Sequence, residues 1–227
     1  MALLFGSIAK QAGSSFSASP SVVRFVAHLG APGAGAKAYL GVAFLIEALL
    51  LALVAGGQTA AARSEEASGR LENLLVRPIS RPSWLAGRVF VTCAVLVASG
   101  LVAGVCTWVA AASDHAGVSF PTLLGAGLNI VPPALCVLGN GVLALGVWPR
   151  ATSFAAYGVL AWSFLVELVG GIVSSNHWLL DTSVFHQMAP SPAVNPNWTS
   201  GGLLVVVGAV AGVLGGVAFR RRDLAGE

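Results

Sequence analysis

Hydrophobic positions in this chain gather into long, nearly unbroken runs, and polar positions are confined to the intervals between them. Five runs, at 38–60, 89–111, 122–148, 152–174 and 201–219, are each long enough to carry a helix across a hydrocarbon core that needs about 20 apolar residues. Met1 to Ala9 is also apolar, but it is too short to cross alone and lacks the basic leader of a signal peptide. It is expected to be the outer end of a sixth, mostly missing span. Residues 10–37 are polar and rich in Gly, Ser and Ala; Val22, Val23, Phe25, Val26 and Leu29 mark one face of a short amphipathic helix at the membrane surface, or else an ordered loop. The predicted fold is therefore all-α: a polytopic membrane helix bundle of five complete spans plus the remnant of a sixth. Residues 1–227 form one transmembrane domain, with 1–37 as an outer segment, 61–88 as a cytoplasmic segment and 175–200 as an outer loop.

Composition excludes a soluble domain, because 9% of residues are charged and 56% are hydrophobic, with a mean hydropathy of +0.83, against about 25% charged in soluble proteins. The net charge of +3 is clustered between spans and supports no nucleic-acid partner. Nine basic residues (Arg63, Arg70, Arg77, Arg81, Arg88, Arg150, Arg220, Arg221 and Arg222) fall in one set of intervals, and three (Lys10, Arg24 and Lys37) in the other. The positive-inside bias places 61–88 and the C-terminus in the cytoplasm. Ten Arg against two Lys, with abundant Ala, Gly and Val, points to a GC-rich bacterial genome, hence a multi-pass protein of a bacterial plasma membrane. Cys93, Cys106 and Cys136 sit inside apolar runs without metal-ligand spacing. The glycine-rich stretch Gly30 to Lys37 has Ala36 where a phosphate loop needs Lys. No catalytic, metal or nucleotide site is expected on this chain.

Inside the spans, polar groups are the informative exceptions. Glu47 stands near the middle of the first span, whose ten Leu, Ile, Val and Phe residues, at about −0.3 to −0.6 kcal/mol each, offset the roughly +3 kcal/mol of a central carboxylate. Glu47, Asn140 and Glu167 are the candidates for a translocation path, because polar side chains in spans are costly unless partnered or functional. Pro132-Pro133 in the third span is expected to kink it. Gly100 and Gly104 in the second span, and Gly208, Gly212 and Gly216 in the fifth, have the four-residue spacing of helix-packing seams. In the outer loop, Trp178, Leu179, Leu180, Val184 and Phe185 suggest a short interfacial helix.

The interval 63–88 is the longest polar gap between spans, with five Arg and three Glu. Leu71, Leu74 and Leu75 form a narrow apolar stripe, and Glu66 precedes Arg70 by four residues, the favourable order for a helical ion pair. Pro78 ends this short amphipathic helix, and Ser80-Arg81-Pro82 supplies a cap and an early-turn proline for the next span. The bland alternative is a solvated loop whose arginines only set topology.

The interval reads Glu66-Ala-Ser-Gly69-Arg-Leu71-Glu72-Asn-Leu74-Leu75, then Pro78-Ile-Ser80-Arg81, then Leu85-Ala-Gly87-Arg88. This resembles the cytoplasmic pattern of permease subunits of type-2 ABC exporters, particularly actinobacterial antibiotic and drug exporters. The resemblance implies a six-helix bundle in which Glu65, Glu66, Gly69, Arg70, Leu71, Glu72, Leu74, Leu75, Pro78, Ser80 and Arg81 form the coupling segment that docks on a separate ABC ATPase subunit. It also implies ATP and Mg on that partner rather than on this chain. A second permease bundle would complete the transporter, either as a homodimer or as the other half of a longer permease, with membrane lipids around it. The substrates expected are hydrophobic or amphiphilic small molecules, or lipids. Two other readings stand beside it. One is an ion-coupled carrier using Glu47 and Glu167, although the chain shows no internal repeat. The other is a membrane enzyme built on His28, His115, His177, Asp181 and His186, whose spacing matches no zinc pattern.

Overall fold

A computed structural model describes residues 1–28, 35–68, 80–170 and 180–221. Among the described residues the chain forms nine α-helices and a 3-10 turn at Pro149–Ala151. They are α1 Ala2–Ser7, α2 Ala9–Ala18, α3 Pro20–His28, α4 Ala36–Ala67, α5 Arg81–Ser113, α6 Phe120–Asn129, α7 Val131–Val147, α8 Thr152–Gly170 and α9 Trp198–Arg221. Five helical stretches are long and apolar enough to cross a membrane, α6 and α7 counting as one, so the molecule is an all-α polytopic membrane bundle. Burial divides them. The apolar windows of α4 and α6–α7 are 56% and 67% buried, against 22%, 28% and 28% for α5, α8 and α9, which makes α4 and α7 the central helices. The outer three carry their bulky side chains outward, with Phe90, Phe154 and Val213 exposed by 75%, 82% and 66%. Such apolar surface suits hydrocarbon, not water.

The bundle has an arginine end, where Arg63, Arg88 and Arg220 emerge from α4, α5 and α9, and a far end. At the far end the N-terminal segment is built differently from the expected surface helix. α1 lies beside the last turns of α5, where a Cβ on Gly6 would come within 2.6 Å of the Ala110 Cβ. The Lys10 backbone N–H donates to Asp114 Oδ2 at 2.7 Å. The apolar face of α3 is turned onto protein: Val26 and Ala38 are both 2% exposed, with Val22, Val42 and Ala193 packed against them. Leu29 lies outside the described residues.

The third span is interrupted just before the proline pair, at Ile130, whose dihedrals stay helical (φ −79°, ψ −12°). Ile130 separates α6 from α7, and Val131 and Pro132 take the first two positions of α7, where the missing proline N–H costs nothing. Asn129, 3% exposed, donates its Nδ2 to the Ala189 carbonyl at 2.7 Å. The break is thus enclosed by protein, the condition under which irregular backbone survives at membrane depth.

Glycine contacts set the packing of α7 on α9, which run in the same direction. A Cβ on Gly139 would strike the Gly208 carbonyl, and one on Gly146 the Gly215 carbonyl; farther up, Gly201 faces the Pro132 ring at 3.4 Å. The seam therefore repeats every seven residues on both helices, at 132/139/146 and 201/208/215. The four-residue strip expected of α9 is corrected: Gly208 belongs to the seam, but a Cβ on Gly212 would reach only the Gly139 Cα, at 3.9 Å, and one on Gly216 would meet none of the described residues within 4 Å. Gly100 and Gly104 pack as expected against α6, where a Cβ on either would come within 2.6 Å of the Gly127 carbonyl or 2.8 Å of the Leu123 carbonyl.

Residues 180–197 fold over the far end as a cap. Phe185 and Met188 are buried at 2% and 5%. Ser183 Oγ donates to the Ser163 carbonyl at 3.1 Å, the Val184 N–H to Ser163 Oγ at 3.2 Å, and Trp162 Nε1 to Thr182 Oγ1 at 3.0 Å. Of the residues expected in a short interfacial helix, Leu180 is helical, Val184 and Phe185 lie in turns of this cap, and Trp178 and Leu179 lie outside the described residues. Asn197 serves α9 as its cap, accepting from the Ser200 N–H at 3.2 Å.

Candidate functional site

Both helices that flank the polar interval run past their hydrophobic runs toward it. α4 continues unbroken to Ala67 and α5 begins at Arg81, where the sequence pattern places span ends near 60 and 89. Favourable capping and ion pairs sustain the extra turns. Ser80 caps α5, its Oγ accepting from the Ser83 N–H at 3.4 Å, with Pro82 in the first turn.

The two arms are tied across the interval. Arg88 Nη1 donates to Glu65 Oε2 at 2.7 Å, with side-chain exposures of 22% and 31%, the length of a charge-assisted hydrogen bond. The Arg88 guanidinium also lies 5.7 Å from the centre of the Trp84 ring, within cation–π range. One turn away, Glu66 Oε2 stands 3.5 Å from Arg63 Nη1 and its side chain is 3% exposed. A small cavity lined by Thr59, Ala62, Leu85, Arg88 and Leu138 lies between α4, α5 and α7 just beneath. Interval residues 69–79 are thus bracketed by two helical arms held at fixed separation.

Of the expected coupling residues, Glu65, Glu66 and Ser80 fall in this bracket, and Arg81 opens α5. Gly69, Arg70, Leu71, Glu72, Leu74, Leu75 and Pro78 lie outside the described residues. Glu65 turns toward α5 and is engaged within the chain. Glu66 has Arg63 as a neighbour three residues back, while its expected partner Arg70 is outside the description. Sequence reasoning did not single out Arg88 as a partner for Glu65, because a pair 23 residues apart has no periodic signature. The Trp84–Arg88 spacing of four was a legible signal for their contact.

The three path candidates do not converge on one cavity. Glu167 lines a cavity of ≈ 220 Å³ between α4 and α8, with Val42, Ile46, Leu49 and Phe164 around it and Phe185 of the cap above. Its Oε2 is buried with no hydrogen-bond partner among the described residues. Glu47 is 8% exposed on the face that α4 shares with Phe44, Ala48 and Leu51, and it does not border that cavity. Asn140 donates one amide N–H within its own helix, to the Cys136 carbonyl at 2.9 Å. Among the described residues no three His, Cys, Asp or Glu side chains gather as metal ligands. His177 lies outside them.

Five apolar helices, two of them central, with helical arms projecting from the arginine-rich end, define a multi-pass membrane helix bundle of the kind that transport proteins build. Residues 1–220 match the family model of the C-terminal domain of the multidrug efflux system permease Rv1217c, and the chain belongs to that family as a transmembrane efflux permease. No curated protein matches the chain.

Proposed function

We propose that the chain is the membrane permease component of an ATP-driven ABC exporter in a bacterial plasma membrane, with its C-terminus and arginine end in the cytoplasm. Hydrophobic or amphiphilic small molecules, or lipids, are the cargo. A separate ABC ATPase subunit binds and hydrolyses Mg-ATP, and a second permease bundle completes the path. The observation that carries this reading is the bracketed interval: α4 and α5 extend to either side of 69–79 and are tied by Glu65–Arg88.

The mechanics follow from helix geometry. α4 has 32 residues, about 48 Å at 1.5 Å per residue, against a hydrocarbon core of about 30 Å. It carries no proline and runs unbroken through Gly56-Gly57 to Ala67, so a push at Ala67 is carried into the span. The Glu65–Arg88 tie makes α5 move with it. Closing of the ATPase subunits would drive the interval and tilt both helices about the central α7. The family match to an efflux permease and the basic arginine end support the reading.

The test is reconstitution of the permease with its ATPase. Glu66→Ala combined with Glu72→Ala is expected to abolish both stimulation of ATP hydrolysis and export while leaving the bundle folded. Normal stimulation and export would overturn the coupling role. The buried Glu47 and Glu167 carboxylates favour one second reading, an ion-coupled carrier. Transport that an uncoupler abolishes, and that proceeds without ATP, would establish it instead.

A further inference from the structure

The corrected glycine strip leaves an unexplained surface. Gly212 and Gly216 do not pack on another helix; with Ala209 and Val213 they form one wall of a cleft of ≈ 610 Å³ between α9 and α5, floored by α7. Leu85, Val89, Phe90 and Cys93 form the opposite wall. The cleft is apolar along its length, and among the described residues its lining holds a single charged side chain, Arg220, at the arginine end. Phe90 and Val213 on its two lips are 75% and 66% exposed, so it opens sideways, toward the bilayer.

We propose that this cleft binds an anionic phospholipid from the leaflet at the arginine end. One acyl chain lies along the Gly212–Gly216 strip and Arg220 holds the headgroup phosphate. Length supports this occupant. The apolar wall from Val205 to Val217 is about 18 Å long at 1.5 Å per residue, close to one leaflet, half of a core of about 30 Å. A spanning helix from a second bundle would need a groove about twice as long. Charge supports it as well, because among the described residues no Asp or Glu lines the cleft and a basic group between spans at the interface attracts anionic headgroups. The absent side chains at Gly212 and Gly216 give a flexible chain a smooth wall, whereas Gly139, Gly146, Gly208 and Gly215 are consumed by helix contact.

The test uses the purified full chain in neutral detergent and phosphatidylglycerol carrying a photoreactive group on one acyl chain. Crosslinks are mapped by peptide mass spectrometry, and affinities for phosphatidylglycerol and phosphatidylcholine with matched chains are read by native mass spectrometry. Crosslinks are expected within 82–93 and 205–217, with phosphatidylglycerol preferred about fivefold, the increment of one interfacial arginine. Arg220→Gln should erase the preference and Arg220→Lys should keep it. Gly216→Leu, whose new side chain enters open space, should weaken both lipids without lowering the unfolding temperature. Equal affinity for the two lipids in the unmodified chain, or crosslinks confined to other helices, would overturn the proposal. So would a Gly216→Leu chain that binds lipid normally but loses self-association, since the cleft would then belong to a second copy.

Discussion

Removing the Arg88 guanidinium is the sharpest perturbation of the bracket. Arg88→Ala deletes a 2.7 Å hydrogen bond to Glu65 and a stacking contact with Trp84. Exposed pairs contribute about 0.2–1 kcal/mol, and hydrogen bonds to charged groups about 1.5–3 kcal/mol. Side-chain exposures of 22% and 31% place this pair between the two, so a coupling energy of about 1–1.5 kcal/mol is expected. The assay is a double-mutant cycle of Glu65→Ala, Arg88→Ala and both together, read by unfolding in detergent. Hydrogen exchange supplies the local readout: amides of Arg63 to Ala67 and of the first turns of α5 should exchange faster in each single variant, because the arms fray when untied. Glu65→Arg with Arg88→Glu should restore slow exchange. A coupling energy under about 0.3 kcal/mol, or unchanged exchange in both arms, would refute the tie and the mechanical argument built on it.

The α7–α9 seam predicts opposite responses from neighbouring glycines. Gly139→Ala and Gly146→Ala place a Cβ on the carbonyl of Gly208 or Gly215, so each should cost about 1–3 kcal/mol of overpacking. Gly216→Ala meets nothing and should gain up to about 1 kcal/mol from helix propensity; unfolding in detergent separates the two classes. Asn129→Ala strips the Ala189 carbonyl of its donor, an expected loss of about 1–3 kcal/mol, visible as faster exchange across 183–193 and earlier proteolysis of the cap.

Much of the architecture was legible because membrane insertion reads each residue largely on its own. Hydrocarbon favours apolar side chains wherever they occur, so the five spans, the arginine asymmetry and the Ser80–Pro82 start of α5 follow from local pattern alone. Packing depends on pairs, and there the pattern misled. The four-residue glycine spacing of α9 was real, but only contact with α7 decided that 201, 208 and 215 carry the seam while Gly212 and Gly216 stay open. The candidate path residues separated for the same reason: Asn140 donates within its own helix, and Glu167 lines a cavity between α4 and α8.

The polar interval divides along this line too. From the sequence by itself came its position between two spans, its charge and its resemblance to a coupling segment. Only the tertiary structure decided that both flanking helices run on into it, and that Glu65 looks across to Arg88. The physical reason is range. Helix propensity and hydropathy act within a few residues of one chain segment, whereas an ion pair between residues 23 apart exists only once α4 and α5 have been brought side by side by the core they share with α7.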